Sequence, residues 1–502
     1  MNFYRIGKKE MALLALVVGM LVLGLILLPQ RSDFQPLDLE QAPALEKAIE
    51  ENRFLQTLSP EEIEEQLNPL LYSYQEFNEV DPEKIRLDPR PRSSSIKPEE
   101  ARQDIEFLFS VLRYGYAGYK LQGGEDYFIP ARNNLMEYLK TYSPGAEIEV
   151  SNLEEKLIEQ LSFINDGHFS IARNSFLEYH HLHYSEQWDF YRDEQGFFLQ
   201  EEGQKLYLEA CNNQDPEKYL RLSLNQAGEL IYRPMAMTPV SSPYQVELLL
   251  KGDDRSLTRD IYLYPVKSNS FDSHAYFYYE KEDIPIVESR SLGTGREQEL
   301  NLFLDKARQL STEEIVILDI RGNSGGSDWY PRQWIQNYTS SSITPGLVQG
   351  AIDLRTRTSQ ALQLHFREEG VGIYDTLEQR FAPRERGWSE LRFYEPVEIQ
   401  NQGYLIVLVD YNTASAAESF VRSLRQVENV IIIGSNTRGA TTAGNVVPFS
   451  LPASGIEVKF GVTLFPELDF SSREGRGQLP DIFVPPEKAL QLAFKFIESY
   501  LR

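Results

Sequence analysis

The run from Met11 to Leu28 is uncharged and mostly Leu and Val, with Arg5, Lys8 and Lys9 before it and Pro29 after it. A helix over this run would span about 27 Å at about 1.5 Å per residue, close to the hydrocarbon thickness of a bilayer. The basic residues before it predict an N-terminus inside and the bulk of the chain on the extracytoplasmic side of the cell membrane. A cleaved signal peptide calls for a shorter apolar region and a small-x-small site, and Pro29-Gln30-Arg31 stands there instead. Residues 1–30 are therefore expected to be an uncleaved, single-pass anchor, joined to the membrane through residues 11–28.

Beyond the anchor the pattern changes three times. Residues 31–96 are acidic and read as a helical stalk or linker; Ser59-Pro60-Glu61-Glu62 has the form of a capping box with proline at the first helical position. Residues 97–184 read as a helical domain. Ile105, Leu108, Phe109 and Leu112 form one stripe, and Leu153, Leu157, Ile158, Leu161 and Ile164 a second behind Ser151 and Glu154. The second helix runs into Asn165-Asp-Gly-His168, which places His168 on a turn. Residues 185–283 are β-rich, with aromatic and β-branched runs such as Ile261-Tyr-Leu-Tyr-Pro-Val266 between turn residues. Residues 284–502 alternate helices with apolar strands: Glu314–Ile320, Tyr404–Asp410 and Val430–Ile433, with a helix from Thr413 to about Val427. Near-continuous apolar strands between helices predict an α/β core with a parallel sheet.

Composition adds two constraints. The chain is 41% hydrophobic and 25% charged, as globular proteins are, and its 75 acidic and 50 basic residues give a net charge of -25. Such a surface repels phosphate backbones, which argues against a nucleic-acid partner. Cys211 is the only cysteine, so no intramolecular disulfide forms and the fold rests on its core.

Two turns could carry chemistry. Asp319-Ile-Arg-Gly-Asn-Ser-Gly-Gly326 follows a buried strand, and adjacent glycines there can present bare N–H groups, as an oxyanion hole or as an ordinary tight turn. In Val409-Asp-Tyr-Asn-Thr-Ala-Ser-Ala-Ala-Glu418 a strand ends and Ser415 falls in the first turn of a helix. There it is either a nucleophile beside free N–H groups or a simple cap. Nucleophilic serine needs a base. Among six histidines, His168 follows Asp166-Gly167, whereas His180, His181 and His183 lack the spacing of a zinc site. Neither a metal nor a phosphate-binding cofactor is implied.

Taken in order, the Asp-x-Arg-Gly-Asn-x-Gly-Gly turn, the Thr-Ala-Ser-Ala-x-Glu turn, Ile432-Ile-Gly-Ser-Asn-Thr-Arg-Gly439 and Gly475-Arg-Gly-Gln-Leu-Pro-Asp481 resemble the tail-specific (C-terminal processing) serine peptidases. The relatives of that family, the tricorn protease core and the retinoid-binding-protein repeats, are resembled too, over about residues 98–490. The resemblance implies a crotonase-like α/β core of ββα units. It also implies Ser415 as nucleophile, with oxyanion donors from the backbone N–H of Ala416 and of Gly325 or Gly326.

The bacterial processing branch places a lysine 25 residues after the serine. Ala440 stands at that position here, which excludes a Ser–Lys dyad on this alignment. The tricorn-like branch uses a histidine and a glutamate, which His168 and Glu474 match, although Gly167 replaces the serine that precedes the histidine there. The Gly-Leu-x-x-Gly-Asp element of a peptide-binding PDZ domain is missing from 185–283, which at most resembles a degenerate one. The resemblance thus implies a serine peptidase acting on peptides or unfolded proteins, which the apolar run 11–28 is expected to anchor in the membrane. The alternative is a catalytically inactive protein on the same fold that binds a peptide or an apolar ligand. Oligomeric state is not legible.

Overall fold

The structure is a computed structural model that describes residues 42–53, 58–70, 91–253, 255–267, 270–272, 274–341, 352–353, 392–393, 398–466 and 470–502. The expected membrane anchor lies outside the described residues. Among those described, no helix is long and apolar enough to cross a membrane.

The apolar runs of the C-terminal half form parallel strands. Ile284–Glu288, Ile315–Asp319, Tyr404–Val409 and Val430–Gly434 lie side by side, with Ile317 opposite Ile286 and Ile406, and Val407 opposite Ile432. Every residue of the last three strands is buried, because helices cover both faces. Alternate side chains divide between two layers. Val316, Leu318, Leu405 and Val407 pack on the helices Glu297–Leu310, Trp329–Thr339 and Ala416–Leu424. Ile317, Ile406, Leu408 and Ile433 pack on the C-terminal helix Ala489–Tyr500 and on Ala42 and Leu45.

The β-rich segment is an extension of this sheet. Beyond Val430–Gly434 come Ile482–Phe483 and Leu220–Leu224, joined in parallel at Phe483 and Ser223, and then a run of antiparallel strands. Together they make a sheet of fourteen strands among the described residues. Asp215–Tyr219 holds a short 3-10 turn capped by the Asp215 side chain.

A second body carries His168. Helices Pro98–Gly115, Glu125–Leu139 and Val150–Gln160 pack on a four-stranded sheet ordered Ala443–Ser450, Glu457–Leu464, Asp166–Ile171 and Asn174–Phe176. Phe169, Ile171, Val447, Phe449, Val458 and Phe460 share one core with Ile105, Leu108 and Leu157. Two expectations are corrected here. His168 sits in a strand rather than on a turn, because Ile171 and Ser170 pair with Val458 and Lys459. The hairpin 443–464 leaves the core to which its position in the sequence assigned it, because its apolar face fits the helices of the other body.

Two described helices of the segment expected as a stalk are docked. Helix Pro43–Arg53 lies on the core, where Asn52 Nδ2 donates to Asp481 Oδ1 at 2.8 Å and Arg53 Nη2 to the Val427 carbonyl at 2.8 Å. Helix Pro60–Leu67 buries Ile63 and Leu67 in the other body. Its capping box forms: Glu62 N–H donates to Ser59 Oγ at 3.2 Å and Ser59 N–H to Glu62 Oε2 at 2.8 Å.

Candidate active site

Strand Tyr404–Val409 ends at a turn that delivers Ser415 to the first position before helix Ala416–Leu424. Ser415 has φ 55 and ψ -121, a conformation that a residue with a side chain adopts only at about 1–3 kcal/mol when the surroundings enforce it. The surroundings do so here. Asp410 Oδ1 accepts N–H groups of Gly322, Asn412 and Thr413 at 2.8, 3.1 and 3.1 Å. Thr413 Oγ1 donates to the Ile320 carbonyl at 3.1 Å, and Ala414 N–H to the Asn323 carbonyl at 2.9 Å. The glycine turn is thereby pressed onto the serine turn. A Cβ on Gly325 would stand 2.6 Å from the Ala414 oxygen and 2.9 Å from Ser415 Cβ, so only glycine fits.

The glycine turn is braced from below by buried charge. Asp319 accepts from Arg290 Nη1 at 2.7 Å and Nη2 at 2.9 Å, and from Arg321 Nε at 2.9 Å and Nη2 at 2.6 Å. Burial disfavours this charge, yet the two guanidinium groups outweigh burial and hold the carboxyl down to about 2.

His168 reaches the site from the other body. Its Nε2 lies 2.9 Å from Ser415 Oγ, across 247 residues of sequence. Its own N–H donates to Asp166 Oδ1 at 2.7 Å, and Asp166 Oδ2 accepts the Tyr116 hydroxyl at 2.7 Å in the interior. Glu474 Oε1 accepts Gly167 N–H at 2.7 Å, while its Oε2 accepts from Thr442 N–H at 3.0 Å and Thr441 N–H at 3.3 Å. The two amides entering His168 are thus pinned by two carboxyls. Burial, and then the Asp166 charge, push Glu474 up to about 8 against those amide bonds.

Among the described residues no hydrogen bond joins Glu474 to the imidazole. His168 Nδ1 is buried with no hydrogen-bond partner among the described residues. Gly167 explains the geometry: a Cβ there would lie 2.6 Å from Ala440 Cβ, so the backbone packs against position 440 and leaves Glu474 bonded to the main chain. Position 440, where a lysine would complete a Ser–Lys dyad, holds a buried methyl group.

The candidate oxyanion donors separate into two kinds. Gly325 N–H donates to Asn323 Oδ1 at 2.9 Å and is engaged. Gly326 bridges Leu292 through the flanking Gly325 carbonyl and Ser327 N–H, and its own N–H has no partner among the described residues. Ala416 N–H, at the helix start, has none either.

Glu418 is a site residue that sequence reasoning missed. It is fully buried; its Oε2 accepts Ser415 N–H and Ala440 N–H, both at 2.9 Å. Its Oε1 accepts Gly439 N–H at 2.7 Å and the Thr437 hydroxyl at 2.6 Å. Its place three residues after Ser415, the acidic position of a capping box, was the available signal. Asp166, Tyr116 and Arg290 carried no local signal. Of the remaining histidines, His183 is buried and bonded to the carbonyls of His181 and Ser242. Cys211 is buried in the β-rich segment, where burial pushes its thiol up to about 12, as in an inert core residue. Among the described residues no three His, Cys, Asp or Glu side chains gather as for a metal.

A serine presented by a strand, turn and helix and backed by a glycine turn is an arrangement suited to nucleophilic chemistry. Residues 283–484 match the model of Peptidase family S41, so this part of the chain is a serine-peptidase domain. No curated protein matches the chain in sequence. Among solved structures, mature CPAF is similar at 14% identity, with 80% of this chain and 96% of that one covered and a TM-score of 0.40. A putative peptidase from Parabacteroides merdae is similar at 14% identity, 80% and 95% coverage and a TM-score of 0.39. The photosystem II D1 C-terminal processing protease is similar at 14% identity, 77% and 93% coverage and a TM-score of 0.34.

Proposed function

We propose that the chain hydrolyses peptide bonds through an acyl-enzyme on Ser415, with His168 as the general base. The observation that carries this reading is the 2.9 Å approach of His168 Nε2 to Ser415 Oγ. In the proposed cycle Nε2 takes the hydroxyl proton as Oγ attacks the scissile carbonyl, then passes it to the leaving amine. Water repeats the attack on the acyl-enzyme. The oxyanion is received by Ala416 N–H and the glycine turn, with Gly326 the donor that is open and Gly325 available only if Asn323 releases it. Glu474 and Asp166 act as positioning residues through the amides of Gly167 and His168.

The core is proposed to be crotonase-like. The succession of Phe277–Lys281, Ile284–Glu288 and Glu297–Leu310 supports one ββα unit of that kind. We further propose a peptide or unfolded protein as substrate. Attachment through residues 11–28 would keep the enzyme on the extracytoplasmic face of the membrane, supported by the apolar run and its basic flank.

Ser415→Ala and His168→Ala should each abolish hydrolysis of an unfolded protein such as reduced, alkylated casein while leaving the thermal transition in place. Wild-type rates in either variant would refute the roles assigned to them. Recovery of the full chain in the soluble fraction of lysed cells, without detergent, would refute the anchor.

A further inference from the structure

The rim beside Ser415 carries positive charge that nothing in the described chain neutralises. The molecule has 75 acidic against 50 basic residues, and many of its exposed lysines and arginines pair with a carboxylate. Arg438 does not. Its N–H donates to the Thr413 carbonyl at 2.9 Å, two residues before the nucleophile. The next two amides, Gly439 and Ala440, are held by the Glu418 carboxyl that also holds Ser415 N–H. Arg438 is therefore fixed to the same frame as the nucleophile.

Its side chain is oriented without being neutralised. Nη2 donates to Asn412 Oδ1 at 3.1 Å, and the guanidinium lies over the Tyr411 ring at 5.9 Å from its centroid. Tyr411 is itself wedged, with Tyr179 edge-on at 5.6 Å and His181 stacked at 6.3 Å. Arg438 Nε is buried with no partner, and Nη1 has none among the described residues. Arg476 is exposed and has no ion pair among the described residues. Asn436 Nδ2 bonds its carbonyl at 3.0 Å, and the neighbouring Gly475 carbonyl accepts His180 N–H at 2.9 Å. Glu178 acts on His180 and makes no ion pair with either arginine.

A guanidinium held by an amide side chain and a ring, with donors to spare, is preorganised for a planar anion. In a chain of net charge -25 it also marks the place where the general repulsion of anions is locally reversed. We infer that Arg438 is a specificity determinant that binds a carboxylate of the peptide substrate beside Ser415, with Arg476 adding long-range attraction. The carboxylate can come from an acidic side chain or from a free peptide C-terminus, two sources of one chemistry. The inference rests on the peptidase reading for its biological sense, but binding tests it apart from catalysis.

The test uses the full chain carrying Ser415→Ala, in detergent, and short fluorescent peptides that differ only in Glu or Gln at one internal position and in a free or amidated C-terminus. Fluorescence anisotropy should show a carboxylate-bearing peptide binding roughly tenfold tighter than the Gln, amidated one, as expected for one charge-assisted contact. Adding Arg438→Gln should bring the two within about twofold, and raised salt should shrink the gap in the same way. Loss of the preference on amidation alone assigns the C-terminus; loss on Glu→Gln alone assigns the side chain. Equal affinities for all peptides, no binding of any, or a preference untouched by Arg438→Gln would overturn the inference. Wild-type hydrolysis of casein, measured in parallel, reports on the peptidase reading separately.

Discussion

The parallel core and the body that carries His168 bury their apolar residues in different ways. In the core each strand is a short continuous apolar run, shielded on both faces by helices that follow it closely in sequence. In the body, strand Asp166–Ile171 buries Asp166, Phe169 and Ile171 while Gly167, His168 and Ser170 remain half-buried. Its partner strand Glu457–Leu464 comes from the far end of the chain. The core is thus specified by local pattern, whereas the body is specified by a long-range pairing. The candidate site lies across the two. Ser415 is rigid because its own strand, turn and helix strain it into place, while His168 depends on a strand pairing and two carboxyls.

That contrast can be broken from the core side first. Asp319→Asn removes the anion between Arg290 and Arg321 and leaves two buried guanidinium groups unpaired. It should destabilise the fold by about 3–5 kcal/mol, read as a fall in the denaturant midpoint. Because Asp319 is held down to about 2, its contribution is present above the ordinary value of 3.8 and is lost only as pH falls from there through about 2. An unchanged midpoint would show that the core does not depend on this charge cluster.

The body should respond more mildly and closer to function. Tyr116→Phe deletes the hydroxyl that donates to buried Asp166, which should lower stability by about 1–3 kcal/mol. Peptide hydrolysis should slow with it, chiefly in kcat, since Asp166 also holds His168 N–H. A change in stability with no change in kcat would separate Asp166 from the site.

Glu474 sharpens the comparison through pH. Its folded value of about 8 lies above the ordinary 4.5, so its stabilising contribution is complete below 4.5 and is lost as pH rises through 8. The Tm of the wild type relative to Glu474→Gln should therefore decline between pH 5 and pH 9. A difference independent of pH would place the Glu474 proton elsewhere. The smallest effect belongs to the docked N-terminal segment: Ser59→Ala loses one cap bond and should lower stability by about 1 kcal/mol or less, given its exposure.

Legibility followed the same division. The strands at 315–319, 404–409 and 430–434 were readable to within two residues because burial on both faces leaves an unmixed apolar run. The Ser59 cap was readable because its partners are three residues apart. The hairpin 443–464 was assigned to the core because nothing in its own pattern names a partner. Residues 31–96 were read as a stalk or linker for a similar reason: Leu45, Ile63 and Leu67 are too few to reveal what they dock against. At the site, Ser415 and His168 were named from motif order, and the structure places them in contact. Glu474 was named as the glutamate that accompanies the histidine, and its oxygens meet the main chain at Gly167, Thr441 and Thr442. Gly167 and Ala440 together determine that placement, and neither has a side chain that advertises it.

The central claim, that His168 activates Ser415, is tested most directly by the rate at which a fluorophosphonate probe labels the full chain. The account predicts labelling of the wild type at Ser415, none in Ser415→Ala, and a rate in His168→Ala lower by about 10²–10⁴-fold, the usual contribution of a general base. A wild-type chain that does not label, or a His168→Ala variant that labels at the wild-type rate, would contradict it.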